Sequence, residues 1–164
     1  FAPDALEKYI QHWNRNGNAT TLEEFNKLTE QEKQETLDFL RALPTHFEIS
    51  VGGQNFYLVH GLPADTVYDE VWFRPYKDPI RTIPNCQLII GHTPVSCFVH
   101  TETEAYSRSD EEERAYVQEM CERGELFSVF HHPQYIDIDC CCGYDFPNRR
   151  LACIRLEDME EFYV

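Results

Sequence analysis

Two short apolar runs, each ending where a glycine and a histidine stand side by side, constrain this chain more than any other feature. Phe56-Tyr57-Leu58-Val59 leads into His60-Gly61, and Cys86 to Ile90 leads into Gly91-His92-Thr93-Pro94. A strand with one wet face alternates apolar and polar residues, so the unbroken run at 56–59 predicts a strand buried on both faces. A buried strand needs other layers to cover it. The expected class is therefore mixed α/β, with helices early and strands accumulating late.

The segments around these runs fill out that order. Pro3 and Asp4 suit a first helical turn, and Leu6, Tyr9, Ile10 and Trp13 recur at helical spacing until Asn16-Gly17. Thr21-x-x-Glu24 and Thr29-x-x-Glu32 both have capping-box spacing. The second opens a stretch with Leu37, Phe39, Leu40 and Leu43 that Pro44 stops. Residues 1–45 thus read as a packed helical layer, and 46–164 as mixed strands and helices. His46 to Val51, Gly52-Gly53 and Gln54 to His60 predict a hairpin with a two-residue turn. A short helical piece is expected around Asp69 to Phe73. Ser109-x-x-Glu112 opens a further helix with Ala115, Tyr116, Val117, Met120 and Cys121 inward, a solvated DEEER face, and Gly124 after its end. Leu126 to Phe130, Tyr135 to Asp139 and Leu151 to Leu156 read as an antiparallel set, with His131-His132 in a loop before Pro133.

Composition removes several function classes. Across 164 residues, 14 basic against 29 acidic side chains set a formal charge of −15. Such a surface repels a phosphate backbone and anionic lipid, so neither nucleic acid nor membrane is an expected partner. A hydrophobic content of 42% is too high for a disordered acidic tail. No apolar run approaches the ~20 residues of a membrane span, and no segment reads as a signal peptide. Seven cysteines, an odd number, favour reduced thiols and a cytoplasmic location.

Strand C-termini in α/β proteins are where ligand sites are built. Imidazole is the commonest metal ligand near neutral pH, and an adjacent glycine lets the backbone turn sharply. His60 and His92, on two strand ends, could hold one divalent metal. Taken alone, each is a weak signal, since a lone strand-end histidine is more often not a ligand. Cys140-Cys141-Cys142 invites a zinc reading, but no Cys-x-x-Cys pair occurs. Alternation would place Cys140 and Cys142 on one strand face and Cys141 on the other, as small buried hydrophobes. Asp137 and Asp139 share a strand face and read as strand or turn residues, with a supporting role at a site as the alternative.

FYLVHG, VWFR, QLIIGHTPV and YIDIDCCCGYDFPNRRLACIRLED, in this order, resemble the C-terminal half of calcineurin-like metallophosphoesterases. The likeness is nearest to bacterial serine/threonine protein phosphatases and to symmetrical diadenosine-tetraphosphatases, and WNRNGNATTL resembles the helical insert of the bacterial phosphatases. It runs from about Trp13 to Leu156. It implies a β-sandwich flanked by helices, present here only as its C-terminal portion. It also implies that His60 and His92 ligate the same one of two divalent ions, which could be manganese, iron or zinc. Arg74 matches the arginine that holds the substrate phosphate, a task its forked guanidinium suits, although a surface arginine in an acidic protein is the alternative.

The departures from that family are as specific. No Asp is followed two residues later by His, no Gly directly by Asp, and the single Gly-Asn, Gly17-Asn18, precedes Ala19. In the family these motifs supply the bridging aspartate, the other metal's ligands and the histidine that protonates the leaving group. Two ions ~3.5–4 Å apart need that full set. With Phe1 in place of an initiator Met, the chain reads as the C-terminal fragment of a metal-dependent serine/threonine phosphatase. As a fragment it is expected to be inactive, to bind metal weakly at most, and to associate with itself or with the missing N-terminal half. The intact enzyme would act on a phosphoprotein or a small phosphorylated substrate. A symmetrical dinucleoside-polyphosphate hydrolase and a non-catalytic acidic binding module that keeps the fold are the alternatives.

Overall fold

A computed structural model describes residues 3–101 and 105–164. Phe1 lies outside the described residues, as do the side chains of Pro3, Asp4 and Leu6. The chain divides into two compact units, Phe1–Leu43 and Pro44–Val164.

The first unit is helical. Helix α1 spans Pro3–Arg15, α2 Ala19–Lys27 and α3 Glu30–Ala42. Gly17, at φ +82°, separates the first two. The Thr29 capping box forms in full: its side chain accepts from the Glu32 N–H, and the Glu32 carboxylate accepts from the Thr29 N–H at 2.8 Å. The Thr21 box does not form. Asn18 keeps helical dihedrals and its carbonyl accepts the Leu22 N–H, so α2 begins at Ala19 and Thr21 is interior. No residue of α2 or α3 is buried, and Tyr9, Ile10, Trp13, Phe39, Leu40 and Leu43 are exposed. A unit this short encloses little volume.

The second unit is built on a mixed sheet. Strands β1 (His46–Val51) and β2 (Gln54–Val59) form the expected hairpin, Val51 facing Gln54 across a turn. Gly52 at φ +58° and Gly53 at φ +86° give that turn the two positive dihedrals of type I′. Helix α4 (Val67–Trp72) follows, then β3 (Cys86–Ile90), β4 (Phe98–His100), β5 (Ala105–Ser107), α5 (Asp110–Glu122), β6 (Phe130–His132), β7 (Tyr135–Asp137), β8 (Ala152–Arg155) and β9 (Glu160–Tyr163). The five-stranded sheet has the order β1-β2-β3-β7-β6, and the pairs β4-β5 and β8-β9 form separate two-stranded sheets.

Within the large sheet β2, β3 and β7 are parallel, with antiparallel β1 and β6 at the edges. The chain is therefore mixed α/β. Pleating sends alternate residues of the three inner strands into two cores. Phe56, Ile89 and Ile136 pack with Val117 and Met120 of α5, while Tyr57, Leu88, Ile90 and Tyr135 pack with Leu62 on the other side. Helix α5 opens with the predicted Ser109–Glu112 capping box and ends before Gly124 at φ +68°. Ala115 is exposed rather than inward, because the stripe that reaches the sheet is narrow and centred on Val117 and Met120.

The tail is antiparallel only in part: β6 pairs antiparallel with β7, while β8 pairs antiparallel with β9 in a separate sheet. β7 pairs parallel with β3, and β6 begins only at Phe130, so His131 and His132 are strand residues. The backbone at 126–129 finds other partners: Phe127 N–H donates to the Asn148 carbonyl, and Val129 N–H to the Tyr163 hydroxyl. Strand alternation also fails at the cysteines. They lie beyond β7, Cys141 sits at φ +66°, and Cys140 and Cys141 are both buried while Cys142 is exposed. All seven thiols are free. No helix among the described residues is long and apolar enough to cross a membrane.

Candidate functional site

Three parallel neighbours end side by side, and that geometry assembles the site. β2 runs out into His60, β3 into Gly91-His92 and β7 into Ile138-Asp139. The ladder continues one step past the strands, with Gly91 N–H on the His60 carbonyl at 3.0 Å and Ile138 N–H on the Ile90 carbonyl at 2.9 Å. The His60 and His92 rings stand 4.7 Å apart, centroid to centroid.

His92 sits at φ +66°, in a tight turn closed by Thr93 N–H on the Gly91 carbonyl at 2.7 Å. A left-handed dihedral costs a non-glycine residue roughly 1–3 kcal/mol and is held only where its surroundings impose it. Three contacts impose it. Thr93 is fully buried, Val95 N–H donates to the Asp139 carbonyl at 3.0 Å, and the Trp72 ring meets His92 edge-on at 5.2 Å.

Gly61 sets the other wall. A Cβ there would lie 2.6 Å from the Glu70 carbonyl oxygen and 2.9 Å from that of Phe73, so the last turn of α4 rests directly on the backbone after His60. Gly61 N–H donates to that Glu70 carbonyl at 2.9 Å. Thr66 caps α4 by accepting from Asp69 N–H, and the chain leaves the helix into Arg74, whose N–H donates to the Asp78 carboxylate at 2.8 Å. The half-buried Arg74 guanidinium reaches Thr93 Oγ1 at 3.5 Å. The three residues singled out from the sequence, His60, Arg74 and His92, therefore share one end of the sheet.

Burial shapes the charges there. It lowers the His60 imidazole below its ordinary 6.5, with the nearby Asp139 carboxylate acting the other way. His92 is pushed down to about 4 by burial, reinforced by the Arg74 and His60 charges. Both rings are neutral at neutral pH, the form in which imidazole offers a lone pair. Burial raises the Asp139 carboxyl and holds that of Asp137 well above its ordinary 3.8. Two buried polar atoms, His92 Nε2 and Asp137 Oδ2, find no hydrogen-bond partner among the described residues. Asp137 Oδ1 accepts from Asp139 N–H, and Asp139 Oδ1 from Cys141 N–H.

Asp139 and Trp72 join the site without a distinct sequence signal. Asp139 reads as a turn residue until β7 is known to lie parallel beside β3. Trp72 stands in the VWFR segment, where Arg74 carries the resemblance. A cleft of about 340 Å³ opens beside His60, walled by Phe47, Leu58, Ile89 and Ile138. Among the described residues no group of three or more His, Cys, Asp or Glu side chains is arranged to hold a metal ion. No family model matches this chain, and no curated protein or solved structure matches it either.

Proposed function

We propose that this chain carries the histidine-and-arginine part of the active centre of a metal-dependent phosphoesterase of the calcineurin-like type. In this reading the chain is the C-terminal portion of a β-sandwich metallophosphatase domain, and the intact protein hydrolyses phosphoserine or phosphothreonine esters. One observation carries the proposal: two neutral imidazoles at adjacent parallel strand ends, one with a buried unpartnered Nε2, beside an arginine on the neighbouring loop.

The donor set fits a borderline divalent ion such as manganese, iron or zinc, with His60 and His92 as two of its ligands. When bound, a pair of such ions supplies Lewis-acid activation of water and of the phosphoryl group. The remaining ligands, including a bridging carboxylate, would come from other polypeptide. This chain's own residues bind and orient. His60 and His92 present lone pairs from fixed backbone positions. Arg74 offers a planar fork to two phosphate oxygens, and Thr93 steadies that fork from below. Trp72 packs edge-to-face against the His92 ring and would help to hold that ring in place.

Manganese titration of the chain, followed by calorimetry and by the loss of the free-ion electron-spin signal, tests this. The expected result is one weak site that disappears in both His60→Ala and His92→Ala. Inorganic phosphate should join it, and Arg74→Ala should abolish that step alone. Manganese binding that survives His92→Ala would overturn the proposal. A dinucleoside polyphosphate shares the phosphate chemistry, and competition between it and a phosphoserine peptide separates the two substrate classes.

A further inference from the structure

Helix α4 has six residues, too few to hold itself together in water, yet it delivers both Trp72 and Arg74 to the site. Something outside the helix must fix it. Its buried face carries Glu70, only 5% exposed, a charged residue type rarely found inside unless it is partnered. The partners are two residues of the hairpin. Tyr57 Oη donates to Glu70 Oε1 at 2.9 Å, and His46 Nδ1 lies 3.1 Å from the same oxygen. The two rings are stacked, with centroids 4.6 Å apart and planes within 18°. Burial and the Glu70 charge raise the Tyr57 phenol, which keeps it a donor at neutral pH.

The backbone of the same residue makes the second attachment, because the Glu70 carbonyl accepts from Gly61 N–H at 2.9 Å. Glu70 therefore grips β1 and β2 with its side chain and the turn after His60 with its main chain. Trp72 lies two residues on, against His92, and Arg74 four residues on, against Thr93. No other side chain of α4 is buried among the described residues.

We infer that Glu70, clamped by Tyr57 and His46, is a positioning residue that sets where Trp72 and Arg74 stand relative to His92. The inference rests on the phosphate-binding reading of Arg74 but concerns a residue that touches neither phosphate nor metal. Its physical basis is that a bidentate arginine tolerates little misplacement. Supporting groups of this kind typically change affinity by about 10- to 100-fold when removed.

The test uses nuclear magnetic resonance on the full chain. In the parent, cross-peaks connect the Trp72 indole to the His92 ring, and inorganic phosphate shifts the Arg74 Nε resonance. Glu70→Ala is expected to remove the cross-peaks and weaken phosphate at Arg74 by about 10-fold or more. Amides of β8 and β9 should stay in place, which a general loss of structure would not allow. Glu70→Gln keeps an acceptor for Tyr57 and should restore most of both signals. A folded Glu70→Ala with cross-peaks and phosphate affinity unchanged overturns the inference. If Glu70→Ala does not fold, Tyr57→Phe decides, and unchanged signals there overturn it equally. Should the parent bind no phosphate at all, the phosphoesterase reading fails while the Trp72–His92 cross-peaks still judge Glu70.

Discussion

At the residue scale, the half-buried His92 and the fully buried Asp137 are two titratable groups with opposite consequences for stability. The folded chain holds the His92 imidazole at about 4, below its ordinary 6.5. Its contribution is therefore complete above pH 6.5 and is lost as pH falls towards 4. Asp137 is raised, so its contribution is complete below the ordinary carboxyl value of 3.8 and is lost as pH rises through its elevated one. Urea denaturation across this range should show His92→Asn flattening the acid-side loss and Asp137→Asn flattening the loss on rising pH. Profiles that superimpose on the parent would show that neither burial is felt as charge desolvation. The sequence marks His92 by the glycine and the strand end beside it, and Asp137 by the strand face that it shares with Asp139, but burial depends on residues distant in the chain.

At the element scale, local rules located most of what has a local cause. The β1-β2 hairpin follows from Gly52-Gly53 between two strand-like runs, and the Thr29 and Ser109 caps follow from spacing alone. The same rule misplaced the start of α2, because Thr21 has the spacing but the helix had already begun. β4, β5 and β9 are three- or four-residue strands, too short to show a periodic pattern, and pairing stabilises them only in context. Gly61 shows where an element is governed by contact instead of propensity. Gly61→Ala places a methyl against two α4 carbonyls and should cost roughly 1–3 kcal/mol, read from the urea midpoint. It should also weaken the Trp72–His92 cross-peaks, since α4 must move to admit it. An Ala variant with the parent's midpoint would mean that α4 sits more loosely than these distances imply.

At the scale of the whole molecule, a large negative charge coexists with exposed apolar surface. Edge strand β1 carries Phe47 at 61% exposure and Ile49 at 44%, and its outer backbone edge is unpaired in the five-stranded sheet. Such edges template association, while a charge of −15 opposes it. Salt screens the repulsion and leaves the apolar attraction, so self-association should increase with ionic strength. Sedimentation velocity at low and high salt would show this, and Phe47→Lys should suppress it. A single monomeric species at every concentration and salt level would refute the expectation.

The doubly buried strand at 56–59, the hairpin turn, the two helix caps and the histidines at strand ends can all be read from neighbouring residues. Each of these has its cause within a few residues: an apolar run, a pair of glycines, a hydroxyl three residues before a carboxylate. Long-range packing alone makes β2, β3 and β7 parallel neighbours, and hence brings His60, His92 and Asp139 to one end of the sheet. Parallel strands are joined through long crossovers, so their adjacency leaves no mark on nearby sequence. The same holds for Glu70, whose partners Tyr57 and His46 lie in the preceding hairpin and meet it only once α4 has folded back onto Gly61.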